Sequence, residues 1–458
     1  MSSLREVKNK NKKIWWIAGI AVLAVALIVG AWIFISKSGF FYKKVDTGAV
    51  SYALTTPMHE VVNESDMQRG YMYTRLLEVL QSNRGVSPWI LKWVVVPGTT
   101  RRVPGFQSKY VDSLDQVLLL QTYVLEGKES SAEKLMKAID AQLTNDKGYL
   151  IEYTTVEKLA LDTADASTYE GNDLYEEASF LLEEEAPVSL QATTCYLRVL
   201  MDYYDKWGNE ALLDRIEKLA DLLSKTEKLS GSRAEDRAAR ATPIPVGEIL
   251  DATPTPTPEP DEDAQKGQLV TQEGLELAGL DLLAVKRASV IDAKYEKTYE
   301  EWLSIVKNGK ISDTLPLYAW IYIGNGNYTF YAGGNADVEL VPSLYTMLHL
   351  AEVGELDGQS YSWVQAQLLN TGFLYTRYNM LSGDAASSVE AYEAYPLVLR
   401  LATIKNDEAL FASAYRAMMR QYATLNTSQI LYTLFRDVED SRIELNAREN
   451  LLAEIFLR

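Results

Sequence analysis

Residues 113–143 read SLDQVLLLQTYVLEGKESSAEKLMKAIDAQL. In both halves of this stretch apolar side chains recur at i, i+3, i+4 and i+7, which is the pattern of an amphipathic helix. A short connection that includes Gly127 and Lys128 separates the two halves, and such short joins make consecutive helices antiparallel. The stretch therefore predicts a helical hairpin.

The same helical pattern returns along most of the chain. Nine further segments carry it: 67–81, 193–208, 209–225, 274–289, 295–309, 341–355, 387–405, 407–423 and 444–458. Residues 173–184 and 361–369 could add more. Strand signals are few, and the best are VVVP at 94–97 and a hairpin at 320–334 that turns over Asn325-Gly326.

Two architectures fit ten or more amphipathic helices in antiparallel pairs. One is an α/α toroid of helical hairpins, and the other is an irregular solenoid of the tetratricopeptide kind. The chain shows no clean 34-residue period, which favours the toroid. We therefore expect an all-α toroid with a small β-hairpin.

A transmembrane helix is predicted ahead of this domain. Residues 14–35 contain no charge, and lysines lie on both sides of them. At 1.5 Å per residue the run can cross the roughly 30 Å hydrocarbon core of a bilayer. The alternative, a cleaved signal peptide, usually has a shorter apolar region that ends in a small-residue site. The basic tail keeps the N-terminus in the cytoplasm and places the main domain outside the cell membrane.

These features divide the chain into five parts. Residues 1–13 form a basic cytoplasmic tail, 14–36 the transmembrane helix, 37–53 a juxtamembrane stretch, and 54–458 the helical domain. Within that domain, 230–268 is rich in Pro, Thr and acidic residues and cannot build a core. It could separate two domains, but helical hairpins of similar style on both sides favour a disordered insertion within one.

Composition excludes several classes of function. The formal net charge is −18, which argues against nucleic acid as a partner because that needs a basic surface. The chain has two histidines and one cysteine, so a disulfide within the chain is impossible, and a histidine-rich metal site or a Ser-His-Asp triad has little to work with. The pattern around Cys195 is that of a buried, inert thiol. No cofactor or metal is expected.

Carboxylates remain as the candidate catalysts in this acidic, exported, tyrosine-rich domain. Two carboxylates suffice for glycoside hydrolysis, in which one protonates the leaving oxygen and the other activates water or attacks carbon. The chain has 63 acidic residues, so spacing alone does not select the pair.

Three motifs resemble those of family 8 glycoside hydrolases, the bacterial cellulase and exopolysaccharide-hydrolase family. The first is SDMQRGYM at 65–72, which resembles Ser-Glu-Gly-Gln-Gly-Tyr-Gly-Met. Gln68 matches, and Asp66 stands where that family has its general-acid Glu. An Asp is one methylene shorter, and Glu64 nearby could take over the role. The resemblance implies that Asp66 or Glu64 is the proton donor.

The second motif is YVDSLDQ at 110–116, which resembles Ala-Thr-Asp-Gly-Asp-Leu-Asp with one residue missing. The resemblance implies that Asp112 holds the sugar in the central subsite, with Asp115 beside it. The alternative is that Asp112 or Ser113 caps a helix, as Asp and Ser often do. Capping does not exclude a sugar contact.

The third motif is NADVELVP at 335–342, which resembles Tyr-Asp-Ala-Ile-Arg-Val-Pro. Asp337 stands at the position of the family's catalytic base, and Leu340 replaces its Arg. The order and rough spacing of the three motifs fit the family over about residues 50–458. The resemblance thus implies an (α/α)6 toroid and inverting hydrolysis of a β-linked polysaccharide from the cell envelope or a secreted matrix.

Aromatic side chains could supply the sugar contacts. Stacking on pyranose faces is a plausible role for Tyr71, Tyr110 and Trp89, and core packing is the alternative for each. Two other functions remain open. One is a catalytically degenerate sugar-binding component held next to a membrane polysaccharide synthase, and the other is an exported helical-repeat scaffold for protein partners.

Overall fold

The computed structural model describes residues 45–50, 69–97, 106–108, 110–159, 186–208, 210–227, 229–234, 269–330, 337–438 and 442–457. Over these ranges the chain forms twelve α-helices: α1 (Arg69–Leu80), α2 (Ser113–Leu125), α3 (Glu129–Gln142), α4 (Leu190–Trp207), α5 (Glu210–Ser224), α6 (Leu282–Ile291), α7 (Glu296–Asn308), α8 (Leu340–Glu352), α9 (Gly358–Thr371), α10 (Ala394–Lys405), α11 (Glu408–Met419) and α12 (Ala447–Phe456). The predicted helix at 361–369 is present as α9.

The even-numbered helices form a closed inner ring. α2 packs on α4, α4 on α6, α6 on α8, α8 on α10, α10 on α12, and α12 returns to α2. Outside this ring α3 packs on α2, α5 on α4, α7 on α6, α11 on α10, and α1 on α12. A closed ring excludes the open solenoid, so the described residues form an α/α toroid.

Burial explains which helices lie inside. Nearly every side chain of α2 is buried, because an inner helix is covered by its two ring neighbours and its own outer partner. Its hairpin partner α3 buries only Ala132, Leu135, Met136 and Ile139, a single stripe at i, i+3, i+4 and i+7. The hairpin expected at 113–143 is therefore one inner and one outer helix.

The described residues also form four small β-sheets, which is more β-structure than the single hairpin that was predicted. The strands are β1 (Trp93–Pro97), β2 (Phe106–Gln107), β3 (Tyr110–Asp112), β4 (Tyr153–Thr155), β5 (Leu229–Ala234), β6 (Leu269–Glu276), β7 (Ile321–Gly324), β8 (Asn327–Thr329), β9 (Asp337–Glu339), β10 (Arg377–Asn379), β11 (Arg436–Val438) and β12 (Arg442–Asn446). They pair in the orders β11-β12-β1-β2, β3-β4, β5-β6-β7-β8 and β10-β9.

Two strand predictions are confirmed. VVVP lies in β1, and β7 and β8 form the hairpin over Asn325 and Gly326, both of which have positive φ. The other strands were missed because most are short and their partners are distant in sequence. The strand β1, for example, pairs with β12 near the C-terminus.

The helix predicted at 274–289 is partly wrong. Residues up to Glu276 belong to β6, a 3-10 turn covers Leu277–Gly279, and α6 begins only at Leu282. Asp281 fixes that start, because its side chain accepts a hydrogen bond from the Ala284 backbone N–H.

The predicted insertion starts later than 230. Leu229–Ala234 is the strand β5 and pairs antiparallel with Leu269–Glu276, so the two ends of the segment lie side by side. Residues 235–268 lie outside the described part. Helices from both sides of the segment belong to the same ring, because α4 packs on α6.

The predicted tail at 1–13 and transmembrane helix at 14–36 lie outside the described residues. Among the helices that the structure does describe, none is both long enough and apolar enough to span a bilayer. Part of the predicted juxtamembrane stretch docks on the toroid. Thr47 is buried there and donates a 2.7 Å hydrogen bond from Oγ1 to Asp205 on α4.

Candidate active site

A cavity of about 200 Å³ lies where the inner helices begin. Five of the inner helices contribute to its lining from their first two turns or the residues just before them, and the sixth side is formed by Glu276 at the end of β6, the strand that leads towards α6. The lining residues are Asp112, Leu114, Glu152, Val188, Ser189, Gln191, Glu276, Val341, Pro342, Tyr345, Glu393 and Arg448. Antiparallel hairpins return the chain to the same face each time, so six helix N-termini meet around one space.

Asp112 is both a helix cap and a wall of this cavity. Its Oδ1 accepts hydrogen bonds from the backbone N–H groups of Leu114 (3.0 Å) and Asp115 (3.3 Å) at the start of α2. The same oxygen lies 2.5 Å from Nη2 of Arg448. The capping role that the sequence left open is thus present, and it coexists with a place in the cavity wall.

Asp115 lies behind this wall. It is fully buried, and its Oδ1 accepts a 2.7 Å hydrogen bond from Nε of Arg448. Burial raises the pKa of Asp115 to about 7, and the Asp112 charge adds to the increase while Arg448 opposes it. Asp115 does not line the cavity, so its predicted sugar contact would have to act through Arg448 or Asp112.

Glu152 lines the cavity from the residue just before β4, in the long connection between α3 and α4. Its backbone is held on both sides, because its carbonyl accepts from Ser113 N (2.8 Å) and its N–H donates to Pro187 O (2.7 Å). Burial raises the pKa of the Glu152 carboxyl to about 7, with further increases from Asp112 and Glu276. Lys92 and Arg448 oppose these increases.

Glu276 and Glu393 complete the acidic lining, and each accepts a hydrogen bond from an aromatic side chain. Trp320 Nε1 donates to Glu276 Oε1 (3.2 Å), and the Tyr345 hydroxyl donates to Glu393 Oε1 (2.8 Å). The Arg448 pKa is raised well above its ordinary value by the carboxylates around it, although burial opposes this. Among the described residues that line the cavity, Arg448 is thus the one permanent cation beside four carboxyl groups, and Lys92 acts on Glu152 from behind the lining.

Four of the lining residues were not predicted from the sequence, namely Glu152, Glu276, Glu393 and Arg448. None of them lies in a recognisable motif. One signal was available for Glu393, since it directly precedes a strongly apolar inner helix, as Asp112 does. Glu152 and Arg448 gave no such signal.

Asp337 lies at the first residue of β9, where its Oδ1 accepts a 3.4 Å hydrogen bond from Asn379 Nδ2. It is not among the residues that line the cavity, although Val341 and Pro342 of the same motif are. Leu340 is completely buried in the core where the family motif has an Arg. Asp66, Glu64 and Gln68 lie outside the described residues.

The three predicted aromatic contacts differ in exposure. Trp89 is 3% exposed and belongs to the core, and Tyr110 is 7% exposed with its ring packed edge-on against Tyr153. Neither offers a free ring face to a sugar, so their placement fits the core-packing alternative. Tyr71 is 63% exposed, and its ring centre lies 5.4 Å from that of Tyr432.

A second buried cluster has the residue types of a metal site. Ligand atoms of Asp281, His349 and Glu352 lie within 4.8 Å of one another. Arg198 already forms salt bridges with both carboxylates, at 2.5 Å to Asp281 and 2.6 Å to Glu352. The geometry is therefore that of a compensated ion-pair network between α4, α6 and α8.

Cys195 on α4 lies beside this network. Burial raises the pKa of its thiol to about 12, so it stays protonated at neutral pH. An inert thiol is what the apolar pattern around Cys195 predicted.

No protein-family model matches this sequence, and no curated protein is significantly similar to it. Solved structures do match. A novel α-amylase from Clostridium perfringens aligns with a TM-score of 0.59 at 19% identity, over 86% of this chain and 98% of that one. A family 8 xylobiose complex from Teredinibacter turnerae gives 0.49 at 9% identity, over 91% and 97% of the two chains. A β-1,3-1,4-glucanase from Paenibacillus sp. X4 gives 0.47 at 12%, over 85% and 92%.

The similarity to the Clostridium perfringens protein shows a shared fold. The α/α toroid that the motif resemblance implied is therefore the fold of the described residues. Fold by itself does not determine reaction, which depends on the residues around the cavity.

Proposed function

We propose that this chain is a glycoside hydrolase that binds a polysaccharide across the cavity and cleaves a glycosidic bond there. One observation carries the proposal: four carboxyl side chains, from Asp112, Glu152, Glu276 and Glu393, line a single cavity at the centre of a glycosidase-like toroid. Acid–base chemistry with carboxyl groups is what glycoside hydrolysis requires.

The reaction is inverting in this proposal. A carboxylic acid, Asp66 or Glu64, protonates the leaving oxygen, and a carboxylate removes a proton from water as the water oxygen bonds to the anomeric carbon. By resemblance Asp337 is that carboxylate and Asp112 holds the sugar. The products are two sugar chains, one of which has a new reducing end of inverted configuration.

The proposed substrate is a β-linked cell-envelope or secreted polysaccharide. The α-amylase name of the structural neighbour is a reason to test an α-glucan as well. In the same proposal, residues 14–36 anchor the chain in the cell membrane, and a membrane polysaccharide synthase is a candidate partner. Support for the anchor comes from the uncharged run and the basic tail.

One observation favours a second function, sugar binding without hydrolysis. Arg448 is bonded to Asp112, the residue expected to hold the sugar, and Asp337 is not part of the cavity wall. A carboxylate that is already bonded to a guanidinium is less available to a sugar hydroxyl. In this second proposal the toroid would present a polysaccharide to a partner enzyme.

The test uses the full-length chain purified in a mild detergent. It is incubated with β-glucans, xylan, envelope polysaccharides and starch, and released sugars are detected by mass spectrometry. Release that is lost in Asp112→Asn, and kept in the exposed control Asp384→Asn, supports hydrolysis, and Asp337→Asn tests separately whether Asp337 is the base. Binding without release supports the second function. If the protein neither binds nor cleaves any of these polysaccharides, both proposed functions are contradicted and the scaffold hypothesis is favoured.

A further inference from the structure

Glu152 differs from the other carboxyl groups of the cavity in its partners. Asp112 is bonded to Arg448, Glu276 to Trp320 and Glu393 to Tyr345. In the part of the chain that the structure describes, no hydrogen bond or ion pair involves the Glu152 carboxylate. A carboxylate that accepts no hydrogen bond is the strongest base of such a group, because bonds to the ionised form stabilise it.

The surroundings of Glu152 increase this basicity. The charged groups that act on it are Asp112 and Glu276, which disfavour its ionised form, and Lys92 and Arg448, which favour it. Burial is the largest influence, and the resulting pKa of about 7 suits proton transfer at neutral pH.

The position of Glu152 is also well defined. The two backbone hydrogen bonds to Ser113 and Pro187 hold it between the N-terminus of α2 and the segment that leads into α4. A side chain on so constrained a backbone can hold a water molecule in a fixed place, which general-base catalysis requires.

We propose that Glu152 is the general base of this enzyme, the group that takes a proton from the attacking water. This assignment rests on the proposed glycoside hydrolysis and replaces Asp337 in that role. The water oxygen bonds to the anomeric carbon, the water proton passes to Glu152, and the glycosidic C–O bond breaks. The leaving oxygen receives a proton from the acid, and solvent exchange restores both carboxyl groups.

The first experiment compares Glu152→Gln with Asp337→Asn in the full-length chain on the polysaccharide that wild type cleaves. Glu157→Gln, an exposed glutamate in the following turn, is the matched control. We expect Glu152→Gln to lower kcat by about 100-fold or more and Glu157→Gln to leave it unchanged. The rise of wild-type kcat/KM with pH should be centred near pH 7, because the base acts only when ionised.

Rescue by azide distinguishes a catalytic role of Glu152 from a purely structural one. In Glu152→Ala, azide enters the space of the missing carboxylate and attacks the anomeric carbon as an anion, so no base is needed. We expect recovered turnover and a glycosyl azide product of inverted configuration. A folded Glu152→Ala that azide does not rescue overturns the assignment.

Other outcomes separate the two proposals. One outcome is that wild type and Glu152→Gln are equally active while Asp337→Asn is inactive. In that case hydrolysis is supported, but Glu152 is not the base. If wild type cleaves none of the polysaccharides, hydrolysis fails and the assignment of Glu152 fails with it.

Discussion

Arg448 Nε lies 2.7 Å from Asp115 Oδ1, although 333 residues separate them in the chain. Asp115 is in the first turn of the first inner helix and Arg448 is in the first turn of the last. Their ion pair therefore closes the ring at the edge of the cavity, and it fixes the guanidinium that also bonds Asp112. Ring closure and the electrostatics of the site depend on the same side chain.

Replacing Arg448 should be costly. In Arg448→Met the fully buried Asp115 loses its cation, and breaking a buried pair in this way costs about 3–5 kcal/mol. The measurement is the free energy of unfolding from urea titration. The exposed Arg416→Met is the control, with an expected change within about 0.5 kcal/mol. Equal stability of the two variants would contradict a structural role for the pair.

Glu152 should make stability depend on pH. Its folded pKa of about 7 exceeds the unfolded value of about 4.3, so the folded state binds the proton more tightly. The contribution of Glu152 to stability therefore falls as pH rises from about 4 to about 7 and stays low above that. Glu152→Gln has no carboxyl group to ionise, so it does not lose stability as pH rises. Its free energy of unfolding at pH 8 should exceed that of wild type by on the order of 2 kcal/mol.

At pH 5 the two proteins should differ much less, because most wild-type Glu152 is then protonated. Thermal unfolding at both pH values checks this, with Glu157→Gln as a control that should follow wild type throughout. A stability difference between Glu152→Gln and wild type that does not change with pH would show that the folded pKa of Glu152 is not raised.

Gly279 should not tolerate a side chain. A Cβ built there would lie 2.9 Å from the Gln191 backbone N and 2.9 Å from Leu190 Cγ, at the contact with the start of α4. Backbone cannot move aside cheaply, so Gly279→Ala should lose about 1–3 kcal/mol. Gly358→Ala is the matched control, because nothing lies within 4 Å of its Cβ and it begins α9. Denaturant titration should show that variant unchanged or slightly stabilised.

Tyr71 should contribute to sugar binding without contributing to stability. Its ring is largely exposed and lies close to Tyr432, which together could form an aromatic surface for a pyranose. Tyr71→Ala should weaken polysaccharide binding several-fold and change the melting temperature little. Affinity electrophoresis in gels that contain the polysaccharide measures this. Leu381→Ala, at another exposed apolar residue, should migrate like wild type.

The sequence predicted the helices well because their signal is local. The apolar periodicity of residues 113–143 predicted both α2 and α3, and the dipeptide Asn325-Gly326 predicted the hairpin of β7 and β8. The prediction failed at 274–289, where a strand and a 3-10 turn precede α6. The apolar residues of this segment are buried from several sides by the ring. A short run of buried apolar residues looks the same in a strand and in a helix, so periodicity could not distinguish them.

The site was predicted in part. Asp112 was found because it caps an apolar helix in a motif-like setting, and it does line the cavity. Glu152 was not predicted, because its raised pKa depends on surroundings that include the charges of Asp112 and Glu276, and these residues are distant from it in sequence. For Trp89 both sugar stacking and core packing were open, and it is buried; aromatic content by itself does not distinguish a groove from a core.

The sequence by itself determined the helical hairpins, the acidic character and the shortage of histidine and cysteine, since each is a matter of local pattern or composition. Only the tertiary structure decided that the hairpins close into a ring, and hence which carboxyl groups meet. Ring closure brings helix N-termini together, buries Asp115 and shields much of Glu152 from solvent, and the resulting loss of solvation raises the pKa values of both carboxyl groups. Chemistry at this site thus arises from long-range packing.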